Sequence, residues 1–243
     1  MAQIVVTMLD HMGSDLTTVN SARVSFNKNS EAKSWSHYDY GNNSGDFIAN
    51  LEDRDIRLIN YLAKHKHLSP FGHCFASFRV KAPIFVARQL VKHQYLRWNE
   101  ISRRYVDSEP EFYVPNVWRG KAEDKKQGSG GKITTSCVYD TYGELTHPSF
   151  AAMDAQDAAL HIYNNMIKAG VCPEQARMVL PQSLMTEWVW SGSLDAFASM
   201  CNLRCKEDTQ YESRVVADQI DERMRELFPL SWKALRGETD EIL

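Results

Sequence analysis

The chain has 243 residues, of which 43% are hydrophobic and 24% are charged, and its formal net charge is -3. These values are ordinary for a globular protein, and the acidic balance argues against a histone-like coat on DNA. No apolar run approaches the roughly 20 residues of a membrane span. The N-terminal residues lack the basic and apolar regions of a secretion signal.

The number and spacing of the cysteines indicate the cellular compartment. The chain contains five cysteines, which follow no repeated spacing: Cys74, Cys137, Cys172, Cys201 and Cys205. An odd, scattered set argues against a disulfide framework and favours a reducing environment. We therefore expect a cytoplasmic protein that has no membrane partner.

Strand and helix patterns follow one another irregularly in the first third of the chain. In chain order they predict a strand over residues 1–10, a short helix capped by Ser14 or Asp15, an inward-packing apolar segment at Val24–Phe26, an exposed loop over residues 27–50, a helix over residues 51–66 and a strand over residues 75–80. The apolar residues of the longer helix are expected to face the core: Leu58, Ile59 and Leu62.

The middle of the chain begins with a proline-initiated helix, because Pro83 fits a first helical turn. The predicted apolar face of this helix consists of Ile84, Ala87 and Val91. Further along, residues 119–146 are rich in Gly, Lys and Ser and therefore predict a flexible surface loop.

The remaining elements are mostly helical. They are a short strand over residues 111–114, a helix from Pro148 to about residue 169, a helix from Pro173 that stops near Pro181, a strand over residues 185–191, a helix capped by Ser193 and a long helix over residues 209–228. The Ser193 helix carries one apolar stripe: Leu194, Phe197, Met200 and Leu203. Because strands and helices mix without regular alternation, we expect an α+β fold, with residues 1–243 forming a single domain.

The segment from Arg88 to Tyr105 concentrates most of the chemistry. It contains five basic residues and one acid, Glu100, interleaved with aromatic residues such as Tyr95 and Trp98. A guanidinium group can bind two phosphate oxygens at once. Both guanidinium groups and aromatic side chains can stack on flat heterocyclic rings. The segment therefore indicates a nucleotide site, with a solvated basic helix face as the alternative.

Other groups of reactive side chains favour ordinary structural roles. One group has the donor types that zinc prefers: His65, His67, His73 and Cys74. Its spacing matches no standard zinc template, so we expect no metal site. Cys201 and Cys205 lie one helical turn apart without a second pair, and Ser102 lacks the G-x-S-x-G context of a nucleophile. Neither G-x-G-x-x-G nor G-x-x-x-x-G-K-[ST] occurs, so the residues alone define no reaction.

The stretch K-H-Q-Y-L-R-W-N-E-I-S-R-R-Y resembles the signature of the flavin-dependent thymidylate synthases, which reads R-H-R, two residues, S, one residue, N-E, one residue, S, one residue, R-Y. Six positions match in register: His93, Asn99, Glu100, Ser102, Arg104 and Tyr105. Further blocks resemble the same family across most of the chain: M-G-S-D-L, A-R-V-S-F, H-L-S-P-F-G-H, K-A-P-I-F-V-A-R-Q, E-F-Y-V-P, A-R-M-V-L-P, and N-L-R followed by Gln210.

This resemblance implies a fold, an assembly and a reaction. The fold would be α+β with a central, mostly antiparallel sheet flanked by helices, and the assembly a homotetramer with active sites at subunit interfaces. Such an enzyme converts dUMP to dTMP, with methylenetetrahydrofolate as the carbon donor and NADPH reducing the cofactor FAD. No nucleic-acid partner is implied.

Residue roles carried over from the resemblance centre on Arg204, the expected catalytic residue, which would favour loss of the N3 proton from uracil. The residues expected to bind dUMP are Gln89, Lys92, Glu100, Ser102, Arg103, Arg104, Arg177 and Arg204. The residues expected to bind FAD are Ser69, Lys92, His93, Gln94, Glu100, Ser193 and Ser199.

Three signature positions differ from the family pattern. Lys92 and Gln94 replace the two arginines beside the histidine, and Arg97 replaces the first serine. Lysine keeps the charge but lacks the planar fork of arginine. These differences motivate an alternative, a flavin-dependent enzyme that modifies C5 of a pyrimidine nucleotide in another way, such as hydroxymethylation. A protein that binds single-stranded nucleic acid and a metal-dependent hydrolase are further alternatives.

Overall fold

The computed structural model describes residues 2–39, 45–106, 109–122, 128–133 and 137–238. Its strands are β1 (Val5–Met12), β2 (Ser34–Asp39), β3 (Gly45–Asn50), β4 (Phe75–Pro83), β5 (Leu96–Glu100), β6 (Val138–Tyr139), β7 (Leu145–Thr146) and β8 (Met185–Ser193). Its helices are α1 (Asp15–Arg23), α2 (Asp53–Lys64), α3 (Ile84–Leu90), α4 (Pro148–Lys168), α5 (Pro173–Ala176), α6 (Leu194–Arg204), α7 (Tyr211–Leu227) and α8 (Pro229–Leu235). Short 3-10 turns cover Val24–Phe26, Phe71–His73 and Arg177–Val179.

Four strands form the central sheet in the order β1-β4-β8-β5, and every neighbouring pair is antiparallel. Successive side chains of a strand point to opposite faces. In β4 the buried positions alternate accordingly, with Phe78 and Val80 fully buried and Arg79 between them exposed. The expected α+β fold with a mostly antiparallel sheet and flanking helices is confirmed.

Helices cover the buried face of this sheet. Phe197 of α6 meets Phe78 of β4 edge-to-face, with ring centroids 5.3 Å apart, and it meets Trp190 of β8 at 5.7 Å. Ile220 of α7 and Trp232 of α8 are fully buried in the same core. Burial of each such side chain contributes about 1.5–3 kcal/mol, so the core fixes the sheet against the helices that carry the site.

Edge strand β5 is held by tryptophans. Trp98 of β5 pairs with Trp190 of β8 in register, and its ring stacks on Trp188 with centroids 4.3 Å apart and an interplanar angle of 19°. Cross-strand aromatic pairs stabilise a sheet by about 0.2–1 kcal/mol each. The packing anchors the strand that ends at Glu100.

The connection from α3 to β5 needs an unusual backbone. Tyr95, just before β5, has φ of 65°, a left-handed conformation that non-glycine residues adopt at a cost of about 1–2 kcal/mol. Opposite Leu96 in β8 lies Gly192, where an added Cβ would stand 2.4 Å from Leu96 Cδ2 and 3.2 Å from the Tyr95 carbonyl oxygen. Glycine at this position therefore lets the strained turn approach β8 closely.

Several predicted elements are confirmed, among them β1, α2, β4, α4, β8, α6 and α7. The prediction that Val24 and Phe26 pack inward is wrong, since both lie on a 3-10 turn and are more than 70% exposed. Val91 is exposed because α3 ends at Leu90. Leu203 is exposed because it lies nine residues after Leu194, which places it on the opposite side of an α-helix.

The irregular regions contain more strand than predicted. Residues 27–50 include the hairpin of β2 and β3, whose polar sequence S-W-S-H-Y-D has no apolar alternation to reveal it. Strand β5 and helix α8 also lay outside the prediction. The expected strand over residues 111–114 is reduced to one bridge, between Phe112 and Leu184.

The helix predicted to run from Pro173 towards Pro181 is also shorter than expected, since α5 covers only Pro173–Ala176 and a 3-10 turn follows. The expected flexible loop over residues 119–146 falls partly outside the described residues, which exclude 123–127 and 134–136. The described remainder contains the hairpin of β6 and β7 and a bridge between Arg119 and Lys132.

Candidate active site

One polar cavity of about 800 Å³ lies where the end of α6 approaches the start of α7. It is lined by Gln89, Arg119, Gly128, Ser129, Leu203, Arg204, Lys206, Asp208, Thr209 and Gln210, and is called the Arg204 cavity below. Two of the predicted dUMP-binding residues, Gln89 and Arg204, therefore line the same space although 115 positions of sequence separate them.

His93 and Arg204 are in direct contact. Arg204 Nε donates to His93 Nε2 at 2.9 Å, and the His93 ring lies 6.4 Å from that of Trp190. Burial and the charge of Arg204 lower the pKa of His93 to about 4, and burial lowers the pKa of Arg204. Arginine stays protonated in proteins, so near neutral pH the pair consists of a neutral imidazole and a guanidinium cation.

The side chain of Gln89 is also oriented by a hydrogen bond from α7. The hydroxyl of Ser213 on α7 donates to Gln89 Oε1, and Ser213 is fully buried. The amide nitrogen of Gln89 is then the group left to face a ligand in the cavity. Both predicted residues thus present N–H donors to the same space, which suits a ligand that is rich in acceptor oxygens.

A second, smaller pocket of about 210 Å³ contains three more predicted residues: Glu100, Arg103 and Arg177. We call it the Arg177 pocket. Glu100 accepts from Thr186 Oγ1 at 2.8 Å and from Trp98 Nε1 at 3.1 Å, so the strand pairing of β5 with β8 fixes its carboxylate. This pocket and the Arg204 cavity share no lining residue.

The other predicted dUMP residues lie on the surface around these spaces. Arg104 is exposed, with its guanidinium 5.1 Å from the Tyr105 ring centroid and 3.8 Å from Glu174. Ser102 Oγ accepts a long hydrogen bond of 3.4 Å from the Arg104 backbone N–H. Lys92 is exposed on the turn after α3, next to His93.

The predicted flavin residues come from three neighbouring segments. Gln94 lies beside His93 on the turn before β5, and Ser69 is exposed on the turn before Phe71–His73. Ser193 precedes α6 and Ser199 is exposed on it. The Phe71–His73 turn packs against α6, so the segments that carry Ser69 and the two serines of α6 are neighbours.

A third cavity, of about 440 Å³, adjoins the Arg204 cavity, with which it shares Arg119, Ser129 and Gln210. Sequence reasoning missed Arg119, whose guanidinium makes two 2.8 Å hydrogen bonds to the buried carboxylate of Glu212. Burial, and secondarily the charge of Glu212, raise the pKa of Tyr113 in this cavity to about 12. No motif singles out Arg119, because its partner lies 93 positions away.

Potential metal ligands converge at one place in the described part of the chain, where side chains of Cys201, Cys205 and Asp221 lie within 4.8 Å of one another. Asp221 already has partners, since it accepts hydrogen bonds from Trp232 and Arg225 and forms an ion pair with Arg236 at 2.6 Å. This cluster therefore has a structural explanation.

An antiparallel α+β scaffold that places the Arg204–His93 pair beside a polar cavity with N–H donors is typical of an enzyme that binds a nucleotide. The sequence profile described as thymidylate synthase complementing protein matches residues 7–230. The chain belongs to this family, whose curated relatives are named flavin-dependent thymidylate synthases.

Individual relatives agree over almost the whole chain. A flavin-dependent thymidylate synthase of Thermus thermophilus is 35% identical over 230 residues, which cover 94% of this chain and 74% of that protein. The one from Thermotoga neapolitana is 34% identical over 230 residues, which cover 94% and 89%. A crystal structure of the UMP/dUMP methylase PolB from Streptomyces cacaoi, bound with 5-Br dUMP, matches with a TM-score of 0.76 and 29% identity, covering 98% of this chain and 96% of that one.

Proposed function

We propose that this protein is a flavin-dependent thymidylate synthase that methylates dUMP reductively to dTMP, with methylenetetrahydrofolate as the carbon donor and NADPH as the reductant of FAD. The observation that carries the proposal is the Arg204 cavity, in which an oriented guanidinium and the amide of Gln89 face one space. Family membership supplies the reaction class.

The chemistry follows from the charge of Arg204. C5 of neutral uracil is a weak nucleophile, and loss of the N3 proton makes the ring electron-rich. A guanidinium that is already oriented stabilises the developing anion without reorganisation, which is the most effective form of electrostatic catalysis. We assign the catalytic role to Arg204 on this ground, while Gln89 and Lys92 hold the same nucleotide.

The predicted flavin residues fit a polar cofactor. The Ser193 hydroxyl makes no capping hydrogen bond to α6, and Asp195 Oδ1 in the first turn of that helix is buried without a partner among the described residues. These unused groups, with the exposed side chains of Lys92 and Gln94, suit the hydroxyl and phosphate groups of FAD. FAD supplies a hydride when bound, a chemistry that side chains lack.

We infer further that a complete site combines two subunits of a homotetramer. In one chain the dUMP residues divide between the Arg204 cavity and the Arg177 pocket, which share no residue. Large apolar side chains near these two spaces are exposed to solvent: the exposed fraction is 84% for Tyr95, 78% for Tyr105 and 79% for Met178. A neighbouring copy that covers these side chains would remove apolar area from water.

Mixing inactive variants tests this sharing. Arg204→Ala and Arg177→Ala should each be inactive alone, because each breaks one half of every site. Mixed tetramers should regain activity, since some sites then combine two intact halves. The measurement is dTMP formation after the two variants are unfolded and refolded together, with separately refolded variants as the control. A lack of recovery in tetramers proven to be mixed contradicts the shared site.

Absorption spectroscopy and product analysis test the activity itself. The purified protein should bind FAD, bleach with NADPH in the presence of dUMP, and form dTMP when the carbon donor is added. Arg204→Ala should lower turnover about 100- to 1000-fold, the usual loss for one preorganised donor, while flavin remains bound. A protein that takes up no FAD, or a variant that turns over like the wild type, contradicts the proposal.

A second substrate follows from the similarity to PolB, which is named a UMP/dUMP methylase. The candidate activity is methylation of UMP, and it is tested by comparing kcat/KM for UMP and dUMP. Equal values would extend the function to ribonucleotides. Formation of a hydroxymethylated product in the same assays would instead support the C5-modifying alternative.

The proposal also includes a cellular location and a domain organisation. The five cysteines have free thiols, which supports a cytoplasmic location. Among the described residues, no helix combines the length and apolar character needed to cross a bilayer. One buried core contains residues from Val19 to Ala234, which supports a single domain.

A further inference from the structure

The contact between Arg204 and His93 has a defined polarity. A guanidinium only donates hydrogen bonds, so the Nε2 atom of His93 at 2.9 Å must be the acceptor. His93 is then the tautomer that carries its proton on Nδ1. A protonated imidazole has no acceptor and would place a second positive charge beside Arg204.

The bond also determines which edge of Arg204 remains free. Because Nε points to His93, the two terminal nitrogens form the outer edge of the guanidinium. Among the described residues, Arg204 makes no other hydrogen bond or ion pair, and it lines the Arg204 cavity. Two parallel N–H donors are therefore available to a ligand in that cavity.

His93 itself is held in place from two sides. Its ring packs near the buried Trp190 of β8. Its chain position is set by Leu90 at the end of α3, whose carbonyl accepts from the His93 backbone N–H at 3.1 Å, and by the left-handed Tyr95 two residues later. Contacts with the sheet and with α3 therefore fix His93, and His93 in turn orients Arg204.

We propose that His93 is a positioning residue, which directs the two-nitrogen edge of Arg204 at the base of dUMP, where the proposed function already places the loss of the N3 proton. The proposal rests on the proposed function. The role of His93 in orienting Arg204 is separate from any contact that His93 makes with flavin.

Hydrogen-bond complementarity gives the reason. Deprotonated N3 and an adjacent carbonyl oxygen are two neighbouring acceptors, arranged much like the oxygens of a carboxylate, which the guanidinium fork binds in a bidentate manner. Neutral uracil places an N3–H donor against one of the two Arg204 donors. When the N3–H bond breaks, its electron pair stays on the ring and the proton passes to solvent, while Arg204 remains protonated throughout.

Fluorine NMR of bound 5-fluoro-dUMP on the FAD-loaded protein tests the proposal, because the fluorine shift follows N3 ionisation. The wild-type protein should favour the N3 anion relative to free 5-fluoro-dUMP. His93→Phe keeps a flat ring without an acceptor and should lower the ionisation constant of bound N3 about tenfold, which is one pKa unit. His93→Gln offers an amide oxygen to Arg204 and should restore part of the shift.

Controls separate this role from others. Gln94→Ala, at the neighbouring predicted flavin residue, tests whether weakened flavin binding alone changes N3 ionisation, and we expect no change. An unaltered N3 ionisation in His93→Phe, or an equal change in Gln94→Ala, overturns the proposal. Failure of wild-type protein to bind dUMP would instead overturn the proposed function, so the two failures are distinguishable.

Discussion

At the residue scale, the site depends on pairs in which a buried or half-buried partner orients a functional group. His93 orients Arg204, Ser213 holds Gln89, and Thr186 holds Glu100. These hydrogen bonds reduce the conformational freedom of the functional side chains when the protein folds, before any substrate binds. The bound geometry is then reached without further ordering, which favours catalysis.

The lowered pKa of His93, about 4, predicts a specific pH dependence of stability. The unfolded chain takes up this proton near the ordinary histidine value of about 6.5, whereas the folded chain resists it down to about 4. Stability from His93 is therefore complete above about pH 6.5 and is lost as the pH falls toward 4. Urea unfolding across this range should show a smaller loss in His93→Gln, and equal losses in both proteins contradict the assignment.

At the element scale, the pairing of β5 with β8 carries the functional residues to their positions. Leu96 lies opposite Gly192, and Glu100 lies opposite Trp188 at the far end of β5. The turn that carries His93 enters β5 at one end, and Glu100 lies at the other. Displacement of this single strand would therefore disturb both cavities at once.

Gly192→Ala tests this coupling. The new Cβ would lie 2.4 Å from Leu96 Cδ2 and 3.2 Å from the Tyr95 carbonyl oxygen, so the Leu96 side chain must reorient and the backbone at Tyr95 must move by a few tenths of an ångström. We expect a loss of about 1–3 kcal/mol in unfolding free energy, the usual cost of overpacking, together with a raised KM for dUMP. Gly131→Ala is the matched control, since nothing lies within 4 Å of its added Cβ. A stable Gly192→Ala protein with unchanged KM would contradict the close approach.

At the scale of the whole molecule, the two ends of the chain are joined by a buried carboxylate. Asp15 at the start of α1 accepts from the backbone N–H groups of Leu230 and Ser231 in α8, at 3.0 and 2.8 Å. It is 2% exposed, and burial raises its pKa. The link holds α8 against α1, next to the core that supports α6 and α7.

Removal of this link should weaken the entire fold. Asp15→Ala leaves the buried N–H group of Ser231 and the partly buried N–H group of Leu230 unsatisfied, and we expect a loss of about 3 kcal/mol in unfolding free energy. Asp10→Ala, at an exposed carboxylate whose one described hydrogen bond comes from the backbone of the next residue, is the control and should change little. Equal midpoints of urea unfolding for the two variants would contradict the role of Asp15.

Sequence reasoning predicted the elements whose apolar spacing is regular, such as α2 and α7, and it predicted the mixed fold class. It missed β5, since L-R-W-N-E has only two apolar residues, Leu96 and Trp98, which are too few to reveal a strand by alternation. The residues assigned to dUMP came from the family resemblance. The partners that orient them, such as Ser213 and Thr186, lie 124 and 86 positions away, and no local pattern reports such contacts.

The division of the predicted dUMP residues between two spaces that share no lining residue has a consequence for how activity would depend on protein concentration. If each working site is shared by two copies, dilution below the dissociation constant of the assembly removes sites rather than slowing them, by mass action. Specific activity then falls with protein concentration even at saturating dUMP. In such an assembly dUMP would bridge the two copies, and the nucleotide itself would shift that threshold to lower concentrations.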